Sequence, residues 1–241
     1  MTRNNFKDFR PLARAPTNFF MTLGDIAFWI RSARADARLN RLRREHGNAA
    51  AFDALYEGMN DPFGAELSQY RYQQRKYDSL LSMLPRRPYG RVLDIGCGLG
   101  PLTRKLAPFA GHILGTDISA IAIEQARSLS KAHSNIVYSQ QDMLDETSRE
   151  PPFDLIVLAD TLYYLDRLTG TRLNSIIQNV ASKLTPGGLL LLVNHYFFGI
   201  DKASRGTREI HDAFRGSPSL DCAAEHRRAF FLATLLRRSA V

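Results

Sequence analysis

The chain has 241 residues, 44% of them apolar, and a formal net charge of +8, which suits one ordinary domain with a real core and an appended segment. No apolar run approaches the ~18 residues that cross a bilayer, and Asn4, Asn5, Asp8 and Arg10 interrupt what would otherwise be the place for a signal peptide. Its two cysteines, Cys97 and Cys222, argue against a disulfide framework and for a reducing, cytoplasmic setting.

Taken in chain order, residues 1–20 carry Pro11, Pro16 and scattered charge and predict little regular structure. Residues 25–44 have helical spacing, with Ile26, Trp29, Ile30, Ala33, Ala37 and Leu42 forming an apolar stripe between arginines, and Gly47 ends the helix. Residues 1–50 hold ten Lys/Arg against four Asp/Glu, a net of +6, while 201–241 hold eight against five, a net of +3, so the remainder stands near −1. The first fifty residues therefore read as a basic helical extension and 51–241 as the main domain. Two readings of the extension stay open: a solvated helix packed on its own domain, and a peripheral contact with an anionic membrane surface or acidic partner.

A second helical region breaks near 58–64 and resumes through Leu67, Tyr70, Tyr77, Leu80, Leu81 and Leu84 until Pro85 and Pro88 stop it. From Arg91 the rhythm changes. Strands are predicted at 92–95, 112–116, 135–139, 153–159 and 189–194, alternating with helices at 101–110, after Ser119, and at 171–184. Pro186-Gly187-Gly188 is read as the turn into the fifth strand. Such alternation demands an open, mostly parallel α/β sheet. Residues 220–225 and 229–236 complete it as an antiparallel hairpin, with the turn near 226–228.

Asp94-Ile95-Gly96-Cys97-Gly98-Leu99-Gly100 ends a strand and opens a helix. Alternate glycines let the backbone approach a ligand, and the helix N-terminus favours negative charge. The spacing is G-x-G-x-G, not the G-x-G-x-x-G of nicotinamide sites, and no Gly-Lys-Ser/Thr ending marks a P-loop. Cys97 reads as a small loop residue, since nothing near it in sequence would activate a thiol. Asp117 follows the second strand, where a carboxylate accepts ribose hydroxyls. Asp142 follows the third, placed for an adenine amino group with Gln141 beside it and Ile118 and Met143 flanking the ring. Asp160, Tyr163 and Tyr164 follow the fourth strand, and His195 the fifth. Carboxyl ends of parallel strands are where ligands bind in such sheets. No metal-ligand spacing is present.

These segments resemble class I S-adenosylmethionine-dependent methyltransferases in Val92-Leu93-Asp94-Ile95-Gly96-Cys97-Gly98-Leu99-Gly100, Thr116-Asp117-Ile118-Ser119, Gln141-Asp142 and Leu184-Thr185-Pro186-Gly187-Gly188. Residues 153–165, Leu55-Tyr56 through Asp61-Pro62-Phe63, Ser68-Gln69-Tyr70 and Lys76-Tyr77 are similar to the NodS nodulation methyltransferases. The resemblance covers about residues 52–238. It implies a Rossmann-like, seven-stranded sheet, S-adenosylmethionine as cofactor, Tyr70 closing over it, and methylation of an amino-sugar nitrogen on a chitooligosaccharide-like acceptor. Arg71 and Asp160 depart from it, standing where the family usually has an acidic residue and a glutamate.

Methyl transfer asks a protein mainly to hold donor and acceptor in line. An amine must be neutral to attack, so a base helps. His195 and Asp160 are the candidates, His195 because imidazole changes charge near neutral pH, and Tyr163 shapes the pocket. Two other readings remain: an O-methyltransferase of a small-molecule, sugar or lipid-linked acceptor, and a non-catalytic protein that keeps the cofactor fold for partner contact. A nucleic-acid substrate is disfavoured, because the fourth strand ends in Asp160-Thr161-Leu162-Tyr163 and not in the D/N-P-P-Y/F of amino-methylating DNA enzymes. The sequence leaves the oligomeric state open.

Overall fold

The computed structural model describes residues 10–13, 23–67, 70–142, 144, 150–165, 168, 170–198 and 200–239. These form helices α1 (Leu23–His46), α2 (Asn48–Gly58), α3 (Arg71–Met83), α4 (Pro101–Leu106), α5 (Ala120–Leu129), α6 (Gly170–Ser182) and α7 (Lys202–Arg215). The strands are β1 (Tyr89–Ile95), β2 (Ala110–Asp117), β3 (Ile136–Gln140), β4 (Phe153–Ala159), β5 (Leu184–His195), β6 (Leu220–Arg227) and β7 (Phe231–Arg238). They make one sheet in the order β3-β2-β1-β4-β5-β7-β6. The first five are parallel, and β7 runs antiparallel to both β5 and β6. The expected Rossmann-like α/β fold with a C-terminal hairpin is the one observed.

Strand period two divides the apolar residues between two layers. Leu93, Ile95, Ile156, Leu158, Leu190 and Leu192 point to the face covered by α6 and α7, where they meet Ile177, Val180, Ile210 and Phe214. Val92, Leu155, Val157, Leu189, Leu191 and Val193 point to the other face, against Leu80 and Leu84 at the end of α3 and Leu102 and Leu106 of α4. Central strands covered on both faces are apolar almost throughout, which is why β4 reads as a continuous hydrophobic run. The strand order reverses between β1 and β4, and the crevice of a doubly wound sheet opens at the carboxyl ends there.

Two boundaries differ from expectation. Pro186-Gly187-Gly188 does not precede the fifth strand but lies inside it. Gly187 has φ +74, and the register against β4 shifts between Phe153 and Leu155. A bulge therefore absorbs the turn residues. The hairpin turn falls at 228–230, slightly later than predicted, because β6 continues to Arg227.

Three helices cover the crevice. α1 and α2 fold back on each other at Gly47 (φ +75) and pack through Ala35, Leu39, Ala51 and Leu55. Polar anchors fix the cover. Asp25 is fully buried; it accepts the Tyr72 N–H at 2.8 Å and pairs with Arg75 at 2.8 Å, capping α3 from another helix. Asp53 of α2 accepts the Ser119 hydroxyl at 2.6 Å and the Ile121 N–H at 3.2 Å at the start of α5. The predicted stripe on α1 is only in part its inner face: Trp29 and Leu42 pack inward, but others of it do not. Ile26 and Ile30 are 47% and 50% exposed, whereas Phe28, Ala35 and Leu39 are buried.

Candidate active site

At the switch point the glycine loop leaves β1. Gly96 takes φ +72, and a Cβ there would lie 2.2 Å from the Thr161 hydroxyl. Only glycine fits between the two strand ends. Thr161 is held in that position by bonds to the Ile95 and Ala159 carbonyls at 3.2 and 3.0 Å. The Gly96 and Cys97 N–H groups donate to the Thr116 carbonyl at 2.8 and 3.0 Å, which ties the loop to β2. Gly98 takes φ +53 and donates its N–H to Asp117 at 3.0 Å. The other Asp117 oxygen accepts the Ser119 N–H at 2.9 Å. Burial pushes the Asp117 carboxyl up, against those backbone donors, which pull it down. Asp94, at the floor, accepts the Thr103 hydroxyl at 2.6 Å. Burial raises its carboxyl to about 6, opposed by the Thr103 bond and reinforced by Asp117.

Above this floor lies a cavity of about 920 Å³, at the upper end of the range for small-molecule sites. One half is walled by Asp94, Gly96, Cys97, Gly98, Asp117, Ile118, Gln141 and Asp142. The other half is walled by Asp160, Tyr163, Tyr164 and His195, together with the inner stripe of α1. The loop and strand-end residues singled out from sequence thus meet around one space. Gly100 is not among them; it caps α4 and packs on Tyr138. Nor is Tyr70, which is buried among Phe28, Tyr72 and Phe230. Met143 falls outside the described residues. His211 is not at the cavity but in the core, between Thr234 at 2.7 Å and Asn194 at 3.2 Å, where burial lowers its pKa to about 3.

Asp160 has φ +54, an uncommon left-handed conformation for a non-glycine residue, costing of order 1–3 kcal/mol. It turns the chain out of β4, while its N–H remains bonded to the Val193 carbonyl at 2.8 Å. Its carboxylate pairs with the buried Lys76 ammonium from α3. His195 lies 3.6 Å from Asp201 and edge-on to the Trp29 ring, centroid to centroid 6.1 Å. Sequence reasoning missed Lys76, Tyr56, Trp29 and Asp36 as site residues. Burial pushes the Tyr56 phenol well up, so it stays neutral over Gly98. Asp36 of α1 accepts the Tyr164 hydroxyl at 2.9 Å. Burial raises its carboxyl; the Tyr164 bond and His195 lower it, and Asp160 raises it.

The donor half fits an adenosyl ligand on three observations. Asp117 spends one acceptor position of each oxygen on backbone N–H groups and keeps the other for a diol. The glycine backbone at 96–98 leaves no side chain in the way. Gln73, in the cavity wall, has a buried carbonyl oxygen with no partner among the described residues, which a donor would satisfy. Among the described residues no group of three or more His, Cys, Asp or Glu is arranged to hold a metal, and no helix is long and apolar enough to cross a membrane.

Comparison with known proteins adds a family. The model of nodulation protein S (NodS) matches residues 54–196. Nodulation protein S of Sinorhizobium fredii is 31% identical over 140 residues, covering 58% of this chain and 60% of that protein. The Rhizobium tropici protein is 31% identical over 132 residues, covering 55% and 54%. The chain thus spans little more than half the length of these relatives. Among solved structures, N-methyltransferase NodS from Bradyrhizobium japonicum WM9 superposes with a TM-score of 0.62 at 25% identity, covering 72% of this chain and 99% of that one. The same protein in complex with S-adenosyl-l-homocysteine gives 0.62 at 22% identity, covering 86% and 98%.

Proposed function

Because this chain belongs to the nodulation protein S family, we propose that it is an S-adenosylmethionine-dependent methyltransferase acting on the nitrogen of an amino sugar in a chitooligosaccharide-like acceptor. The observation that carries this reading is the single cavity that joins the glycine-loop half to a half lined by carboxylates and aromatic rings. The donor supplies a methyl carbon already activated by a positive sulfur. This chain's residues supply the rest. Asp117 and the Gly98 backbone hold the ribose end, Asp142 receives the adenine amino group, and Asp94 faces the cationic end of the donor. Asp142 already accepts the Leu144 N–H at 3.1 Å through one oxygen, which leaves the other for the ligand.

Across the cavity an amine approaches between Asp160 and His195. A neutral amine is the attacking form, so a proton must leave first. His195 is the base in this reading, held by Asp201 on its outer side. Asp160, fixed by Lys76, orients the acceptor. The Bradyrhizobium relative is an N-methyltransferase, which supports nitrogen over oxygen as the receiving atom. Both cysteines are free, Cys97 buried and Cys222 exposed, which supports a reducing, cytoplasmic setting. The net charge of +6 on residues 1–50 supports a peripheral membrane contact as a further role of that segment.

The test is calorimetry with S-adenosylmethionine followed by mass spectrometry of an acceptor panel containing partly deacetylated chitooligosaccharides, their fully acetylated forms, and hydroxyl acceptors. A gain of about 14 Da, one CH₂ unit by the chemistry of methyl transfer, on the deacetylated sugars alone is the expected result. Gain on hydroxyl acceptors makes the chain an O-methyltransferase, and cofactor binding with no gain on any acceptor makes it a non-catalytic binding protein.

A further inference from the structure

We propose that α1 is the acceptor-recognition wall of the cavity, with Asp36 accepting a hydrogen bond from the acceptor amine and Trp29 covering an adjacent sugar face; this rests on the amino-sugar reading above. Trp29, Ser32, Ala33, Asp36, Asn40 and Arg43 all line the cavity. Their spacing of three and four residues is one continuous face of a helix. That face is largely polar, and it points into the cavity while Ile26 and Ile30 are left outside. α1 also lies wholly before residues 54–196, the stretch shared with the family model, so it is placed to set what this chain accepts.

Asp36 carries the assignment. One oxygen accepts the Tyr164 hydroxyl at 2.9 Å. The Tyr164 ring is itself fixed by Phe52 and Phe63, with centroids 5.5 and 6.0 Å away. The second oxygen has no hydrogen-bond partner among the described residues, and a half-satisfied carboxylate in a cleft favours an incoming donor. An amine offers an N–H to it whether protonated or neutral. The carboxylate is not needed to seat the helix. Asp25 with Tyr72 and Arg75, the Arg31 bond to the Asp61 carbonyl at 2.7 Å, and the packing of Ala35 and Leu39 on α2 already do that. Trp29 is held by Phe230 and Tyr72, with centroids 4.8 and 5.2 Å away, and it stands beside His195. A sugar stacked there presents its nitrogen to the strand ends where the donor half begins.

Trp29 is the only tryptophan of the chain, so its fluorescence reports an acceptor on α1 without turnover. The experiment titrates a partly deacetylated chitooligosaccharide onto the full chain saturated with S-adenosylhomocysteine, and measures KM and kcat separately. The wild type should give a saturable change in emission. Asp36→Asn should raise both acceptor Kd and KM by about tenfold or more, the loss of one charge-assisted hydrogen bond, while S-adenosylhomocysteine affinity stays within about twofold of wild type. Asp36→Glu should recover part of the loss. Tyr164→Phe removes the docking bond and keeps the carboxylate, so it should cost less than Asp36→Asn. If wild type methylates the amino sugar and Asp36→Asn does so with unchanged KM, the assignment falls alone. It also falls if Tyr164→Phe reproduces the whole loss, because the carboxylate then only positions the helix. If wild type binds and methylates no amino sugar, the function proposed above falls and takes this assignment with it.

Discussion

Binding of the donor product between pH 5 and pH 7 tests Asp94, with an Asp94 variant separating it from the neighbouring Asp117 carboxyl, which burial also raises. In the free protein burial holds its carboxyl at about 6. At pH 5 about one molecule in eleven then carries it ionised, and at pH 7 about ten in eleven. A cationic ligand end against Asp94 requires the ionised form, so apparent affinity scales with that fraction. S-adenosylhomocysteine should therefore bind about tenfold more weakly at pH 5 than at pH 7, a difference of about 1.4 kcal/mol. Its ammonium keeps its charge across that window. Calorimetry in two buffers of different ionisation enthalpy supplies an independent readout, since binding near pH 6 should release about half a proton per site. Asp94→Asn should bind more weakly at pH 7 and lose the pH slope. A flat affinity in the wild type, or an equal slope in the variant, refutes the placement of the ligand's cationic end on Asp94.

Asp117→Ala should weaken S-adenosylhomocysteine binding by more than about tenfold by calorimetry at neutral pH, through loss of the diol contacts and of the carboxylate that holds the Gly98 N–H; unchanged affinity removes the ribose assignment. His195→Ala should lower kcat on an amine acceptor with donor affinity retained, and full activity eliminates His195 as the base. His211 predicts acid lability. Its folded pKa of about 3 lies below the ordinary 6.5, so the unfolded chain binds the extra proton. Stability is complete above about 6.5 and falls toward pH 3, by about 2 kcal/mol between pH 7 and pH 5. Asp94 shifts the opposite way, so the test compares urea midpoints of wild type and His211→Gln at both pH values, and an equal pH slope in the two would sink it.

The sheet was legible because its signals are local. β4 is apolar residue after residue, Ser119 caps α5 through the Ala122 N–H, and Asp94, Asp117, Asp142 and Asp160 each close a strand or its loop. The glycine loop was legible for the same reason, although the reason Gly96 must be glycine was not. That reason is Thr161, sixty-five positions away. α1 was misread in part, at Ile26 and Ile30, because hydrophobic periodicity asks only which face is apolar. This helix packs Phe28, Ala35 and Leu39 inward and gives a neighbouring face to a polar cavity, so its inner surface is mixed. Asp25 reads as an ordinary first-turn acid, yet it is fully buried as the cap of α3. Lys76 and Asp36 gain their roles from Asp160 and Tyr164, over gaps of 84 and 128 residues. The one available signal was the spacing of Asp36, Asn40 and Arg43 along a single polar stripe.

The two halves of the cavity are held by different physics. The donor half is backbone and strand-end geometry: the Gly96–Thr161 contact, the Thr116 carbonyl accepting two loop N–H groups, and Asp117 bridging Gly98 and Ser119. Changing one of these disturbs the sheet itself. The acceptor half is a cover of helices fastened at a few polar points: Asp25 on α3, Asp53 on α5, Arg31 on the Asp61 carbonyl. Side chains between those fasteners, Ser32, Asp36 and Asn40 among them, line the cavity, and of these Asp36 also takes the Tyr164 hydroxyl. On the assignment proposed above, substitutions there alter which acceptor fits while the donor site keeps its shape. Buried anchors thus hold the wall in place, while Trp29, Ser32, Asp36 and Asn40 line the cavity between them, so on that assignment acceptor choice and helix seating rest on different side chains of α1.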